Sequence, residues 1–205
     1  MDSLEYLEIS NGKSFDKAIV FIHGWKGNKN SFESLSSILS IDNANWFFPQ
    51  GPYKLDSKGK KYSWSYQHDN GSWEYKEPIF LLKNFLNDNI LSKVDSKSVF
   101  FIGFSQGATV CYDFILQLDY PWGGVFPVAG FTRYFEKDFK INKNQIKTPI
   151  IIGHGKSDQV VPILSSDKIY EYLHKNKFNV SYEKFNGGHK ISINYLKKIH
   201  NIIDG

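Results

Sequence analysis

The feature that most restricts how this chain can fold is its alternation of short apolar runs with segments of helical period. Ile19-Val20-Phe21-Ile22 and Thr148 to Gly153 are apolar almost without interruption, as expected of strands covered on both faces. Asn45 to Phe48, Ser98 to Ile102 and Val180 to Phe185 read as further strands. Between them, apolar residues recur every three to four positions. Phe32, Leu35, Ile38 and Leu39 follow a capping-box pair, Asn30 with Glu33. Ile79, Leu82, Phe85, Leu86 and Ile90 follow Pro78, and Ala108, Cys111, Ile115 and Leu118, backed by Val110 and Phe114, follow a glycine turn. Helices from Pro162 to about Lys175 and from Ile191 to Ile203 complete the series. Such alternation predicts a mainly parallel twisted sheet with helices on both faces, its ligand-binding residues gathered at the carboxyl ends of the strands.

Three stretches fit this pattern less simply. Glu5 to Ile9 and Lys17 to His23 flank a turn containing Asn11-Gly12, which predicts an opening antiparallel pair. Gly124 to Val128 is a weaker strand, because Pro127 cannot donate to a ladder. Gly51 to Glu77 has no helical period and carries Tyr53, Tyr62, Trp64, Tyr66, Trp73 and Tyr75 among Gly, Lys and Asp.

A chain of 205 residues is long enough for one well-buried core, and a single domain over residues 1–205 is expected. Its net charge of +4 comes from dispersed lysines, with Arg133 the only arginine. Phosphate and guanine recognition lean on the planar arginine fork, so nucleic acid is not an expected partner. The apolar runs fall far short of the roughly 20 residues that span a bilayer. Met1-Asp2-Ser3-Leu4-Glu5 lacks the basic-then-apolar order of a secretory signal. Cys111 has no cysteine to pair with, which fits a reducing cytosol and a cytoplasmic location. No His-Glu-x-x-His or paired-cysteine spacing occurs, so no metal centre is expected.

Chemistry is concentrated in a few of the turns. Gly103-Phe104-Ser105-Gln106-Gly107 lies between an apolar strand and a helix, the setting in which a sharp turn lifts a serine hydroxyl above a sheet as a nucleophile. A serine attacks poorly unless a base takes its proton. Of the six histidines, His23 and His154 end buried strands and read as satisfied core residues; His68 lies in the aromatic stretch, and His174 and His200 lie late in helices. His189, in Gly187-Gly188-His189, stands on a flexible turn at a strand's carboxyl end and is the candidate base. Asp158 lies beyond the most apolar strand and between serine and histidine in chain order; its role would be to orient the imidazole. The N–H of Gln106 is the natural first donor to a developing oxyanion, and that of Trp25, in His23-Gly24-Trp25-Lys26-Gly27, the second. Trp64, Tyr66 and Trp73 either line an acyl groove or pack locally. Cys111 sits within the helix, away from the turn, and is no rival nucleophile.

Taken together, His23-Gly24, Phe48-Pro49-Gln50-Gly51-Pro52, Gly103-Phe104-Ser105-Gln106-Gly107-Ala108, His154-Gly155 with Asp158 and Val161-Pro162, and Gly188-His189 resemble the phospholipase/carboxylesterase family, which includes acyl-protein thioesterases. The motifs occur in family order over nearly the whole chain. The resemblance implies an α/β-hydrolase fold, no cofactor, and hydrolysis of small-molecule esters or acyl thioesters, lipid-like substrates included. Ser63-Trp64 resembles the family's aromatic loop near the acyl site. Trp25-Lys26 departs from the small or aliphatic residue common in the oxyanion loop, and Gly51 to Glu77 is unusually rich in Lys and Tyr. Two other readings stand beside this one. A peptidase or amidase could use the same triad, although a small chain without a propeller or cap favours esters. A binding module that had lost the chemistry would not need all three residues.

Overall fold

Backbone groups inside apolar runs have no water to bond, so each run must find strand partners. The computed structural model describes residues 3–10, 15–134 and 139–205. In chain order its elements are β1 (Tyr6–Ser10), β2 (Lys17–Ile22), α1 (Leu35–Leu39), β3 (Ala44–Pro49), β4 (Tyr53–Lys54), β5 (Tyr62–Ser63), β6 (Tyr66–Gln67), β7 (Trp73–Glu74) and α2 (Lys76–Leu86). They continue with β8 (Val99–Phe104), α3 (Gln106–Asp113), β9 (Gly124–Val128), β10 (Ile150–Gly155), α4 (Ile163–Lys175), β11 (Val180–Phe185) and α5 (Ile193–Asp204). Among the described residues the main sheet has seven strands in the order β1-β3-β2-β8-β9-β10-β11. All neighbours are parallel except β1 and β3.

The alternation of side chains along each strand builds two apolar layers. Val20, Phe101, Val125 and Ile152 face one side, covered by Leu82, Phe85, Cys111, Ile115, Ile169 and Leu173 of α2, α3, α4 and the turn after α3. Ile19, Phe21, Phe100, Ile102 and Ile151 face the other, under Leu35 and Leu39 of α1 and Leu196, Ile199 and Ile203 of α5. The chain leaves β2 towards β3 on one side and returns at β8 to build outward on the other. The strand order therefore reverses between β2 and β8, the place where an open α/β sheet leaves a crevice at its carboxyl edge.

Several local expectations are corrected. β1 pairs antiparallel with β3, not β2, because β3 lies between them. The expected Asn11-Gly12 turn falls outside the described residues. The Asn30–Glu33 capping box does not form: Asn28 Oδ1 accepts from the Asn30 amide at 2.8 Å and keeps that stretch in turns, so α1 is one short turn beginning at Leu35. Pro78 is the third residue of α2 rather than its first, still in the first turn where a missing N–H costs nothing, and Glu74 accepts from the Lys76 and Glu77 amides. α3 is buried all round from Gly107 to Asp113, not on one face.

β9 is a central strand despite its proline. Val125 N donates to Pro149 O and Ala129 N to Gly153 O, so the position between them on the β10 side is the one where Pro127 lacks a donor. The ladder skips one bond there and continues. The stretch 51–77 forms two small ribbons, β4-β5 and β6-β7, and enters α2 at Lys76. No helix among the described residues is long and apolar enough to cross a membrane.

Candidate active site

Only Ser105 separates β8 from α3, and this single residue must reverse the chain from strand to helix. It does so at φ 55°, ψ −115°, a conformation that costs a non-glycine residue of order 1–3 kcal/mol. Surrounding bonds hold it there: Ser105 N donates to Val128 O at 2.9 Å, and Ser105 O accepts from Thr109 N at 3.1 Å. Glycine at 107 allows the close approach behind it, since a Cβ there would lie 1.9 Å from the Ile22 carbonyl oxygen. Gly24 also brings the loop after β2 close, with a Cβ position 3.1 Å from that of Ser105.

His189 follows β11 on a loop tied to the loop after β10: Lys156 N donates to Phe185 O and Ser157 N to Gly187 O, both at 2.9 Å. Its Nδ1 donates to Asp158 Oδ2 at 2.7 Å. A carboxylate can only accept, so the proton sits on Nδ1 and Nε2 keeps its lone pair. The imidazole lies against Phe104, ring centroids 4.8 Å apart, and Phe104 is the residue before Ser105. Asp158 is sealed from solvent at the side chain. Its Oδ1 accepts from the amides of Val160 at 2.8 Å and Val161 at 3.0 Å. Burial pushes this carboxyl up, but the hydrogen bonds from His189 and the Val161 and Val160 amides outweigh it and hold the group below its ordinary value.

The loop after β2 is braced from beneath by residues 51–65. His23, fully buried, donates from Nδ1 to Gly24 O at 2.8 Å and accepts at Nε2 from Gly51 N at 3.0 Å. Burial lowers its pKa to about 4, consistent with a ring that must stay neutral to accept that amide. Lys26 N donates to Tyr62 O and Tyr62 N to Gly27 O. Trp25 is exposed, with the Lys26 ammonium 4.0 Å over its ring.

Gln106 does more than its motif position announced. Its side-chain oxygen accepts from Trp64 N at 3.0 Å, and its amide nitrogen donates to Ser63 Oγ and Ser65 Oγ at 2.9 Å each. The residue whose backbone opens α3 thus clamps the aromatic stretch. No signal along the sequence links these partners, which are more than 40 positions apart. The three aromatic candidates separate: Tyr66 and Trp73 are 46% and 54% exposed on the β6-β7 ribbon, whereas Trp64 is buried, its indole N–H donating to His23 O at 3.0 Å. Trp64 therefore occupies a supporting position beneath the loop rather than an open wall.

The sequence model of the phospholipase/carboxylesterase family matches residues 5–205. Acyl-protein thioesterase 1 of Debaryomyces hansenii is 28% identical, covering 95% of this chain and 93% of its own. Acyl-protein thioesterase 1 of Kluyveromyces lactis is 25% identical over 83% of each. The crystal structure of esterase PE8 superimposes with a TM-score of 0.85 over 98% of both chains at 19% identity, a likeness of fold.

Proposed function

This chain belongs to the phospholipase/carboxylesterase family and has its α/β-hydrolase fold; from that premise we propose that it hydrolyses carboxylic esters and acyl thioesters of short to medium acyl chain through an acyl-enzyme on Ser105. The observation that carries the reading is the 2.7 Å His189–Asp158 hydrogen bond, made by an imidazole resting on Phe104 beside a strained Ser105.

As the Ser105 Oγ attacks the carbonyl carbon, His189 Nε2 takes its proton, and the imidazolium is stabilised by the Asp158 carboxylate. Charge moves onto the carbonyl oxygen, where the N–H groups of Gln106 and Trp25 receive it; the first of these belongs to the positive end of α3. Collapse breaks the bond to the alkoxide or thiolate, which leaves with the proton held by His189. Water then repeats the sequence: His189 takes its proton, hydroxide adds to the acyl carbon, and collapse returns the proton to Ser105 Oγ as the acid departs. Tyr66 and Trp73 supply apolar surface for the acyl chain, with Trp64 fixing the loop below. The reaction takes place in one domain, in the cytosol, where a lone buried Cys111 stays reduced.

The test is a fluorophosphonate probe together with p-nitrophenyl butyrate, an acyl thioester and a peptide anilide. Wild type should be labelled and should turn over the ester and thioester far faster than the anilide. A folded wild-type protein that neither reacts with the probe nor cleaves any of these compounds would overturn the proposal.

A further inference from the structure

His154, which the sequence presents as a core histidine, touches the triad carboxylate. Its side chain is completely buried at the end of β10, yet it meets three different parts of the structure. Nε2 lies 2.9 Å from Val161 O and 3.4 Å from Asp158 Oδ2; Nδ1 lies 2.7 Å from Ser166 Oγ in α4. A carbonyl oxygen can only accept, so the ring proton sits on Nε2, and in the neutral ring Nδ1 accepts from the Ser166 hydroxyl. The N–H on Nε2 is thus given to Val161 O, with Asp158 Oδ2 close beside it at 3.4 Å. Val161 is held from both ends, its carbonyl by His154 and its amide by Asp158 Oδ1. The oxygen that receives the His189 proton donor is the one His154 approaches, so a single carboxylate oxygen is flanked by two imidazoles.

We propose that His154 is a positioning residue for catalysis: anchored by Ser166, it fixes the Asp158 loop and aims Oδ2 at His189. This rests on the proposed serine-hydrolase reading and deepens it. Without this N–H the loop keeps its own Asx turn, Asp158 with Val160 and Val161, and the Asp158 amide's bond to Gly155 O, but the Val161 end of the turn loses its side-chain anchor to β10 and, through Ser166, to α4. Oδ2 then shifts relative to His189, and the imidazole loses its fixed direction towards Ser105. Misplacement on the order of 1 Å in such an assembly costs up to about a hundredfold in rate.

His154→Phe keeps a flat ring and removes both nitrogens; His154→Gln returns a donor close to the reach of Nε2. The expected result for His154→Phe is a kcat about tenfold to a hundredfold lower with KM within about twofold, and loss of the low-field NMR resonance of the His189 Nδ1 proton. His154→Gln should recover most of the rate and the resonance. Ser166→Ala, which releases Nδ1 without emptying the site, should lower kcat several-fold at unchanged KM. A folded His154→Phe with wild-type kcat and resonance, or a His154→Gln as impaired as His154→Phe, would overturn the inference. Should His154→Phe fail to fold, Ser166→Ala decides: unchanged kcat and resonance would count against it. Fluorophosphonate labelling of wild type but not of Ser105→Ala shows separately that the underlying reading holds, so the two failures are distinguishable.

Discussion

Two carboxylates show how the balance between burial and close donors sets the chemistry of a residue. Asp158 accepts from two amides and from His189, and its carboxyl falls below the ordinary value. Asp113, packed more deeply in the protein, has the Thr132 hydroxyl at 2.6 Å but the Arg133 amide only at 3.4 Å and its guanidinium at 3.9 Å. Burial dominates there and raises its pKa to about 6, against the pull of Thr132 and Arg133. The folded protein therefore binds this proton more tightly than the unfolded chain. The stability it confers is complete below the unfolded value near 4 and is lost as pH rises through about 6. Asp113→Asn should stabilise the protein at pH 8, by up to about 3 kcal/mol, and change it little near pH 4, as read from urea unfolding at the two pH values. Equal effects at both would contradict the raised pKa. Strain at Ser105 leads to a second expectation. Ser105→Gly should abolish turnover, with a loss approaching the roughly million-fold of serine knockouts in subtilisin, yet raise stability by about 1 kcal/mol, or ~2–4 °C in Tm. A lower Tm would mean that the elbow is not strained. That Ser105, Asp158 and His189 stand just past strand ends was legible from the glycine or proline punctuation there; the side-chain bonds of Gln106 were not, since its partners are more than 40 positions away and only the fold brings them near.

At the scale of elements, the loops matter more than the strands that carry them. The β2–α1 loop, the 51–65 segment and the start of α3 are laced together by His23, Trp64, Gln106 and the Lys26–Tyr62 bonds, so the proposed oxyanion donors, the Trp25 and Gln106 amides, rest on a braced base. Gln106→Ala would remove the acceptor of the Trp64 amide and partners of Ser63 and Ser65. A loss of about 1–3 kcal/mol in denaturant unfolding is expected, with kcat for p-nitrophenyl butyrate reduced as well. Unchanged stability would show that the clamp is dispensable. Strands β2, β8, β10 and β11 could be read from sequence because apolar runs and strand propensity agree there. Partner choice could not: β1 reads like half of a hairpin with β2, and only the assembled sheet inserts β3 between them. The weaker strand read at Gly124–Val128 forms with those bounds, and Pro127 leaves out one ladder bond to β10.

For the whole molecule, the crevice follows from topology. The reversal of strand order between β2 and β8 places the Trp25 loop and Ser105 side by side, and the loops after β10 and β11 close the group from the outer edge with Asp158 and His189. Residues spread from 25 to 189 meet because every one of them follows the carboxyl end of a parallel strand. That much was implied by the alternation of strands and helices, whereas the course of residues 51–77, which lacks a periodic signal, became visible only in the fold. The chemistry assigned to this edge requires that an acyl group pass through Ser105. Mixing the protein with a slowly deacylating p-nitrophenyl ester, quenching in acid and mapping peptides by mass spectrometry tests this directly. An acyl mass on the peptide containing Ser105, absent from Ser105→Ala, is expected; ester cleavage that leaves Ser105 unmodified and survives its replacement would contradict it.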